Sequence, residues 1–213
     1  CSRCTPALEV GGDYYDFIRL NDHQLAIGLG DVSGKGLAAS LVMANLQATI
    51  RSEALYGSDP AHCLERANKL LFSSTDARTF VSLFYGILDI NNHSFTYANA
   101  GQDPAVLFSC TNPKRLLSTK GIALALTSDA TYNAQTISLH PGDFIILYSD
   151  GISEAVNSNM EEFGKDRIFD FIIHNKSNPA ATILDKLFDS VHEHVHNGSE
   201  QDDMTALILK RIV

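Results

Sequence analysis

The 213-residue chain carries 16 basic against 25 acidic side chains, a formal net charge of -9, with 45% hydrophobic and 19% charged residues and no low-complexity run. A chain this long buries roughly 70% of its unfolded surface, so the composition excludes a disordered or fibrous protein, and no apolar stretch reaches the roughly 20 residues of a membrane span. With an acid surplus and no basic cluster, nucleic acid is excluded as a partner, because phosphate neutralisation supplies most of such binding.

In chain order, Cys1 and Cys4 read as half of a zinc site without its second pair. Together with Cys63 and Cys110 they lack the spacing of a disulfide scaffold, and no secretory signal precedes them, which reads as free thiols in a reducing cytoplasm. Tyr14 to Leu20 and Leu25 to Gly30 are two strands joined by the turn Asn21-Asp22-His23-Gln24, with Asp31 at the exit of the second. The stretch that follows, GDVSGKGLAAS (Gly30 to Ser40), looks like a phosphate cradle. A P-loop needs a glycine, four residues, then Gly-Lys-Ser/Thr; here Leu29 stands where the first glycine belongs and Gly36 where the hydroxyl belongs, so the pattern fails at both ends.

Leu37 to Ala54 has helical composition, and Ser58-Asp59-Pro60 supplies a cap and a first-turn proline for a second helix, Pro60 to Phe72. Phe80 to Ile90 is a nearly continuous apolar run, the pattern of a strand covered on both faces, and Asn91-Asn92-His93 turns it into Ser94 to Ala100. Further strands are expected at Ala105 to Ser109, Gln135 to Leu139, Phe144 to Ser149 and Met204 to Val213, with a tight turn at Pro141-Gly142-Asp143. Lys165 to His174 and Pro179 to His196 complete the helices; in the latter Ile183, Leu184, Leu187, Phe188, Val191 and Val195 share one face. Antiparallel strands with helices grouped in pairs predict an α+β fold of two sheets packed together, flanked by helices, as one domain over residues 1–213. The absence of an initiator Met is expected of the C-terminal part of a longer protein.

The last helix ends in HEHVH (His192 to His196), formally the H-E-x-x-H of zinc proteases. On the helical wheel His192 and His196 fall on the polar arc with Asp185, Asp189 and Glu193, so they are read as solvated, with Gly198 ending the helix. The acids are more informative. Asp13 precedes the first strand, Asp31 and Asp150 each end a strand, and Asp202 begins the last. Each alone is an ordinary turn former. Four carboxylates at strand ends suit Mg²⁺ or Mn²⁺, which prefer oxygen ligands, and two such ions about 3.5–4 Å apart can activate a water and clamp a phosphoryl group.

At these residues the chain resembles the metal-dependent protein serine/threonine phosphatases (PPM, type 2C), in their bacterial SpoIIE/RsbU-like branch. The matching stretches are EVGGDYYDF, GDVSGKGLAASLVMANL, SLFYGILD, YANAG, PGDFIILYSDGISEA, EEFGKDRI and QDDMTALIL, in the family's order and over nearly the whole chain. The resemblance implies a four-layer αββα sandwich and two Mn²⁺ or Mg²⁺ ions held by Asp13, Asp31, Asp150, Asp202 and the backbone carbonyl of Val32. Asp31 would bridge both ions, and Asp31 and Asp150 are the catalytic residues. It further implies that Asp203 supports the last ligand, that Asp16 stands behind the set, and that Gly34 and Gly36 let the turn approach the site closely.

The implied reaction is direct hydrolysis of phosphoserine or phosphothreonine by a two-metal-activated water, without a phosphoenzyme. The implied partner is a phosphorylated STAS-type anti-sigma factor antagonist; the alternative is a catalytically silent phosphoprotein-binding module of the same fold. The domain is expected in the cytoplasm without membrane contact of its own, its regulatory or membrane-tethered segment lying outside this chain. Dimers occur in the branch, and an apolar surface patch would be the argument for a homodimer here. Two stretches depart from the family pattern: Ala100-Gly101-Gln102-Asp103-Pro104, where a His is usual at the third position, and Gly121-Ile122-Ala123-Leu124-Ala125. Neither holds a metal aspartate; both bear on substrate contacts.

Overall fold

The computed structural model describes residues 1–57, 59–76, 78–109, 115–196 and 202–212. Ser58, Cys110, Gly198 and Val213 of the expectations above lie outside the described residues. The elements in order are β1 (Ser2–Thr5), β2 (Tyr14–Arg19), β3 (Gln24–Val32), α1 (Gly36–Ala54), α2 (Pro60–Ser74), β4 (Val81–Asp89), β5 (Ser94–Ala100), β6 (Ala105–Phe108), β7 (Arg115–Leu117), β8 (Gln135–Ser138), β9 (Phe144–Tyr148), α3 (Asp150–Ser153), α4 (Lys165–Asn175), α5 (Ala180–Val195) and β10 (Met204–Lys210).

The strands form two five-stranded sheets, β2-β3-β4-β5-β8 and β1-β10-β9-β6-β7. Period-two alternation sorts their side chains into three cores. In β9, Phe144, Ile146 and Tyr148 turn to α4 and α5, joining Ile168, Ile172, Ile183, Leu187 and Phe188. Ile145 and Leu147 of the same strand meet Ile27, Leu29, Phe84, Phe95 and Tyr97 of the other sheet. The far face of that sheet, with Tyr14, Ala26, Leu83 and Tyr85, packs on Leu46, Ile50, Leu64 and Leu71 of α1 and α2. The order of layers is therefore helix pair, sheet, sheet, helix pair. Between the sheets, Phe84, Phe95 and Tyr97 stack with centroids 5.4–6.4 Å apart.

The expected α+β architecture, the helix starts and the apolar face of α5 agree with the structure. Asp59 caps α2, its Oδ1 accepting from Ala61 N at 2.8 Å, with Pro60 in the first turn. Two differences have physical reasons. The strand β3 runs on to Val32 instead of ending at Gly30, because Asp31 and Val32 pair with Ser82 and Val81 of β4. Short, polar β1 was not expected; its pairing partner is β10, at the other end of the chain. Cys4 therefore lies in a strand, where its Sγ accepts from Thr205 Oγ1 at 3.2 Å, and is a free thiol like Cys1 and Cys63.

Asp16 shares the helix-facing side of β2 with Tyr14 and Ile18 and is 6% exposed. Arg51 of α1 donates to both of its oxygens, Nε to Oδ2 at 2.7 Å and Nη2 to Oδ1 at 2.8 Å. The acid is thus a strut between sheet and helix rather than a support standing behind the candidate metal ligands. Truncation in Arg51→Ala strands a buried carboxylate, and we expect a lower unfolding midpoint than the wild type. Urea denaturation measures it; an unchanged midpoint contradicts the strut.

Candidate metal centre

Antiparallel pairing brings the candidate acids to one edge of the sandwich. The start of β2 lies against the end of β3, Tyr14 opposite Gly30, so Asp13 and Asp31 are neighbours. In the second sheet the start of β10 lies against the end of β9, Ala206 opposite Tyr148, which gathers Asp202 and Asp150, the latter opening α3.

Asp203 joins the two edges. It is 8% exposed, and its carboxylate accepts from Ala7 N at 2.9 Å, Gly12 N at 2.7 Å and Asp13 N at 3.4 Å. Its backbone N–H donates to Asp202 Oδ1 at 3.0 Å. Asp203 therefore positions the first of the candidate ligands as well as touching the last. Two glycines make this approach possible: a Cβ at Gly11 would stand 2.2 Å from Asp203 Oδ2, and one at Gly151 would stand 2.2 Å from Asp203 O. Sequence reasoning missed both, although each adjoins a candidate acid motif. Gly34 and Gly36 differ from expectation: a Cβ there meets nothing within 4 Å, and glycine is needed for φ of 98° and 72°.

Burial and mutual repulsion dominate the electrostatics. Burial pushes Asp13 up to about 8, the charges of Asp31 and Asp203 adding to it against the Ser149 and Thr205 hydroxyls. Asp31 is raised to about 7, again first by burial and then by the charges of Asp150, Asp202 and Asp203. Asp150 is raised by burial and by Asp202. Asp13 Oδ2 is buried and accepts no hydrogen bond; nearby, Ser149 Oγ donates to Asp203 O at 3.1 Å and Thr205 Oγ1 to Cys4 Sγ at 3.2 Å. A position 12 Cβ would lie 3.1 Å from Val32 O and 3.3 Å from Asp31 Oδ1, so both oxygens face the same small cradle.

An orphaned buried carboxylate oxygen among clustered acids and a backbone carbonyl is the donor chemistry of a hard divalent cation, and the residues fit one. The side chains are not closed around it: among the described residues no group of three or more acids, histidines or cysteines converges tightly enough to hold an ion as they stand. Lys35, the residue before α1, places Nζ 2.8 Å from Asp202 Oδ2.

Gln102, at the family's histidine position, also reaches this edge. Its Oε1 accepts from Ser82 Oγ, and Ser82 is the cross-strand partner of Asp31, its Oγ 3.4 Å from Asp31 O. Asp103 pairs with Lys165 Nζ at 2.8 Å. The H-E-x-x-H histidines do not join: His192 and His196 are exposed, and His194 Nε2 contacts Glu161 O at 2.9 Å.

The raised carboxyls set a pH dependence. Against an ordinary value of 3.8, the folded protein holds more protons than the unfolded chain between about pH 4 and 8, so metal-free stability falls as pH rises through that window. Ligation requires the deprotonated acids. Mn²⁺ binding is expected to release one to two protons at about pH 6 and fewer than one at about pH 8.5; calorimetry in buffers of different ionisation enthalpy counts them, and a pH-independent count contradicts the assignment.

Residues 21–212 match the family described as Stage II sporulation protein E (SpoIIE). The chain belongs to the SpoIIE family. It is 29% identical over 211 residues to the phosphoserine phosphatase RsbU of Bacillus subtilis (strain 168), covering 98% of this chain and 62% of RsbU; the SpoIIE-family chain thus spans less than two thirds of that relative. Among solved structures it superposes on the SiaA-PP2C domain of Pseudomonas aeruginosa with a TM-score of 0.85 at 21% identity, covering 99% of this chain and 85% of that one. It also superposes on RsbX in complex with magnesium, with a TM-score of 0.72 at 16% identity over 97% and 92% of the two chains. These likenesses establish the PP2C fold for this SpoIIE-family member, and with it the expected αββα sandwich. Among its described residues no helix is long and apolar enough to cross a membrane.

Proposed function

We propose that this SpoIIE-family chain is a divalent-metal-dependent protein serine/threonine phosphatase, using two Mn²⁺ or Mg²⁺ ions. The observation that carries the reading is the buried, unpartnered Asp13 Oδ2 beside Asp31, Asp150, Asp202 and the Val32 carbonyl, in a chain similar to a phosphoserine phosphatase. Bound there, the ions supply a water of lowered pKa and positive charge facing the phosphoryl oxygens.

The protein's own groups do the rest. Asp31, on which burial and the charges of Asp150, Asp202 and Asp203 act, would be the ligand shared by the ions. Asp13 and the Val32 carbonyl would hold them from the β2–β3 side, and Asp150 and Asp202 from the β9–β10 side. Asp203 fixes the backbone at Gly12 and Asp13 through its carboxylate. Ser149, the hydroxyl beside Asp13, is fully buried and donates to Asp203 O, so it is not placed to attack a phosphate. This supports direct hydrolysis by water without a phosphoenzyme.

The substrate class implied by the family resemblance is a phosphorylated STAS-type anti-sigma factor antagonist, and the similarity to a phosphoserine phosphatase supports the phosphoserine part of that reading. The test compares initial rates on a phosphoserine in a folded STAS domain and in a short peptide of the same sequence, with Mn²⁺. Faster release from the folded protein is expected; equal or slower release contradicts this partner class.

A further inference from the structure

We propose that Lys35 is a tethered counter-ion of the acid centre, whose ammonium holds Asp202 in the metal-free protein and must leave when a divalent cation binds. The inference rests on the metal-centre reading above and adds a residue to it. Both oxygens of Asp202 are engaged: Oδ1 accepts from Asp203 N at 3.0 Å, and Oδ2 faces Lys35 Nζ at 2.8 Å. The backbone bond is compatible with metal ligation, because it is made within the loop that carries the ligand. The ammonium is not, since it sits on the oxygen left for the ion and carries like charge.

Lys35 is placed for such an exchange. It is the residue before α1, extended at φ -139° and ψ 162°, and makes no side-chain cap. The helix therefore starts without depending on its side chain. Gly34 and Gly36, both at positive φ, flank it, and its side chain is 56% exposed against 45% for Asp202. A half-exposed pair of this kind is weak enough to be displaced. It lines one small cavity of about 130 Å³ with Gly36, Asp202, Asp203, Ala7, Leu8 and Val10, which leaves the ammonium room to swing aside.

In the metal-free protein Lys35 then offsets repulsion among Asp202, Asp150 and Asp203, and in the loaded protein it is a competitor that has been expelled. The two roles predict opposite signs for one substitution. The test is calorimetric Mn²⁺ titration of the wild type, Lys35→Gln and Lys35→Arg, with thermal melts of the metal-free forms. Lys35→Gln is expected to bind Mn²⁺ about fivefold more tightly and to melt lower when metal-free, while Lys35→Arg stays within about twofold of the wild type on both. Unchanged or weaker Mn²⁺ binding by Lys35→Gln, with the wild type binding normally, overturns the counter-ion role alone. If neither wild type nor Lys35→Gln binds Mn²⁺, the metal-centre reading itself falls and takes this inference with it.

Discussion

Asp31→Asn is expected to lower metal-dependent phosphoserine hydrolysis by about 10³-fold or more while leaving the fold intact. Asp31 is a half-buried strand residue whose backbone pairs with Ser82, and the amide is isosteric, so the sheet has no reason to change. What changes is charge. Asp31 feels Asp150, Asp202 and Asp203 together, which makes it the group whose negative charge both halves of the centre share. An amide offers one neutral oxygen in place of two anionic ones, and removing a single preorganised charge-stabilising group costs about 10²–10³ even where no metal is held by it. Repulsion among the remaining acids also falls, so the metal-free variant is expected to melt at or above the wild-type temperature. Activity within tenfold of the wild type would remove Asp31 from the bridging role.

Asp203→Ala is expected to have the largest effect on stability. Three backbone N–H groups from residues 7–13 converge on this carboxylate, and the Gly12 bond is wholly buried. Leaving buried donors unsatisfied costs about 1–3 kcal/mol each. Allowing for water reaching the more open Ala7 bond, we expect a loss of about 3–4 kcal/mol and a Tm lower by about 6–15 °C. Because the same bonds orient Asp13, Mn²⁺ affinity should fall about 10–100-fold, as for other groups that hold a ligand in place. Asp203→Asn keeps one acceptor oxygen and should lie between. Chemical denaturation and Mn²⁺ titration of the two variants measure this; a stable Asp203→Ala protein with normal Mn²⁺ affinity would mean that Asp13 is positioned by other contacts.

The layers were legible because their signals are local: the continuous apolar run of β4, the apolar arc of α5, the Asp59-Pro60 start of α2. Asp13, Asp31, Asp150 and Asp202 were legible as strand-end acids, the first three beside glycines. Signals that need a distant partner were not. The strand β1 exists because β10 pairs with it, and Gly11 and Gly151 matter because Asp203 comes within 2.2 Å of a Cβ placed at either. Lys35 reaches an acid 167 positions away, a pairing that no spacing rule reveals. Asp16 shows the opposite error. Three residues from Asp13, it is expected by resemblance to stand behind the ligand set, yet period-two counting from Tyr14 and Ile18 puts it on the helix face, where Arg51 meets it.

The central claim, a phosphatase run by metal held among these aspartates, is tested most directly by phosphate release from a phosphoserine peptide by the purified chain, with Mn²⁺ and with a chelator, beside Asp31→Asn. The account predicts turnover that requires Mn²⁺ and disappears in the variant. A folded wild type that binds Mn²⁺ without releasing phosphate, or releases it equally from chelated protein or from Asp31→Asn, would contradict it.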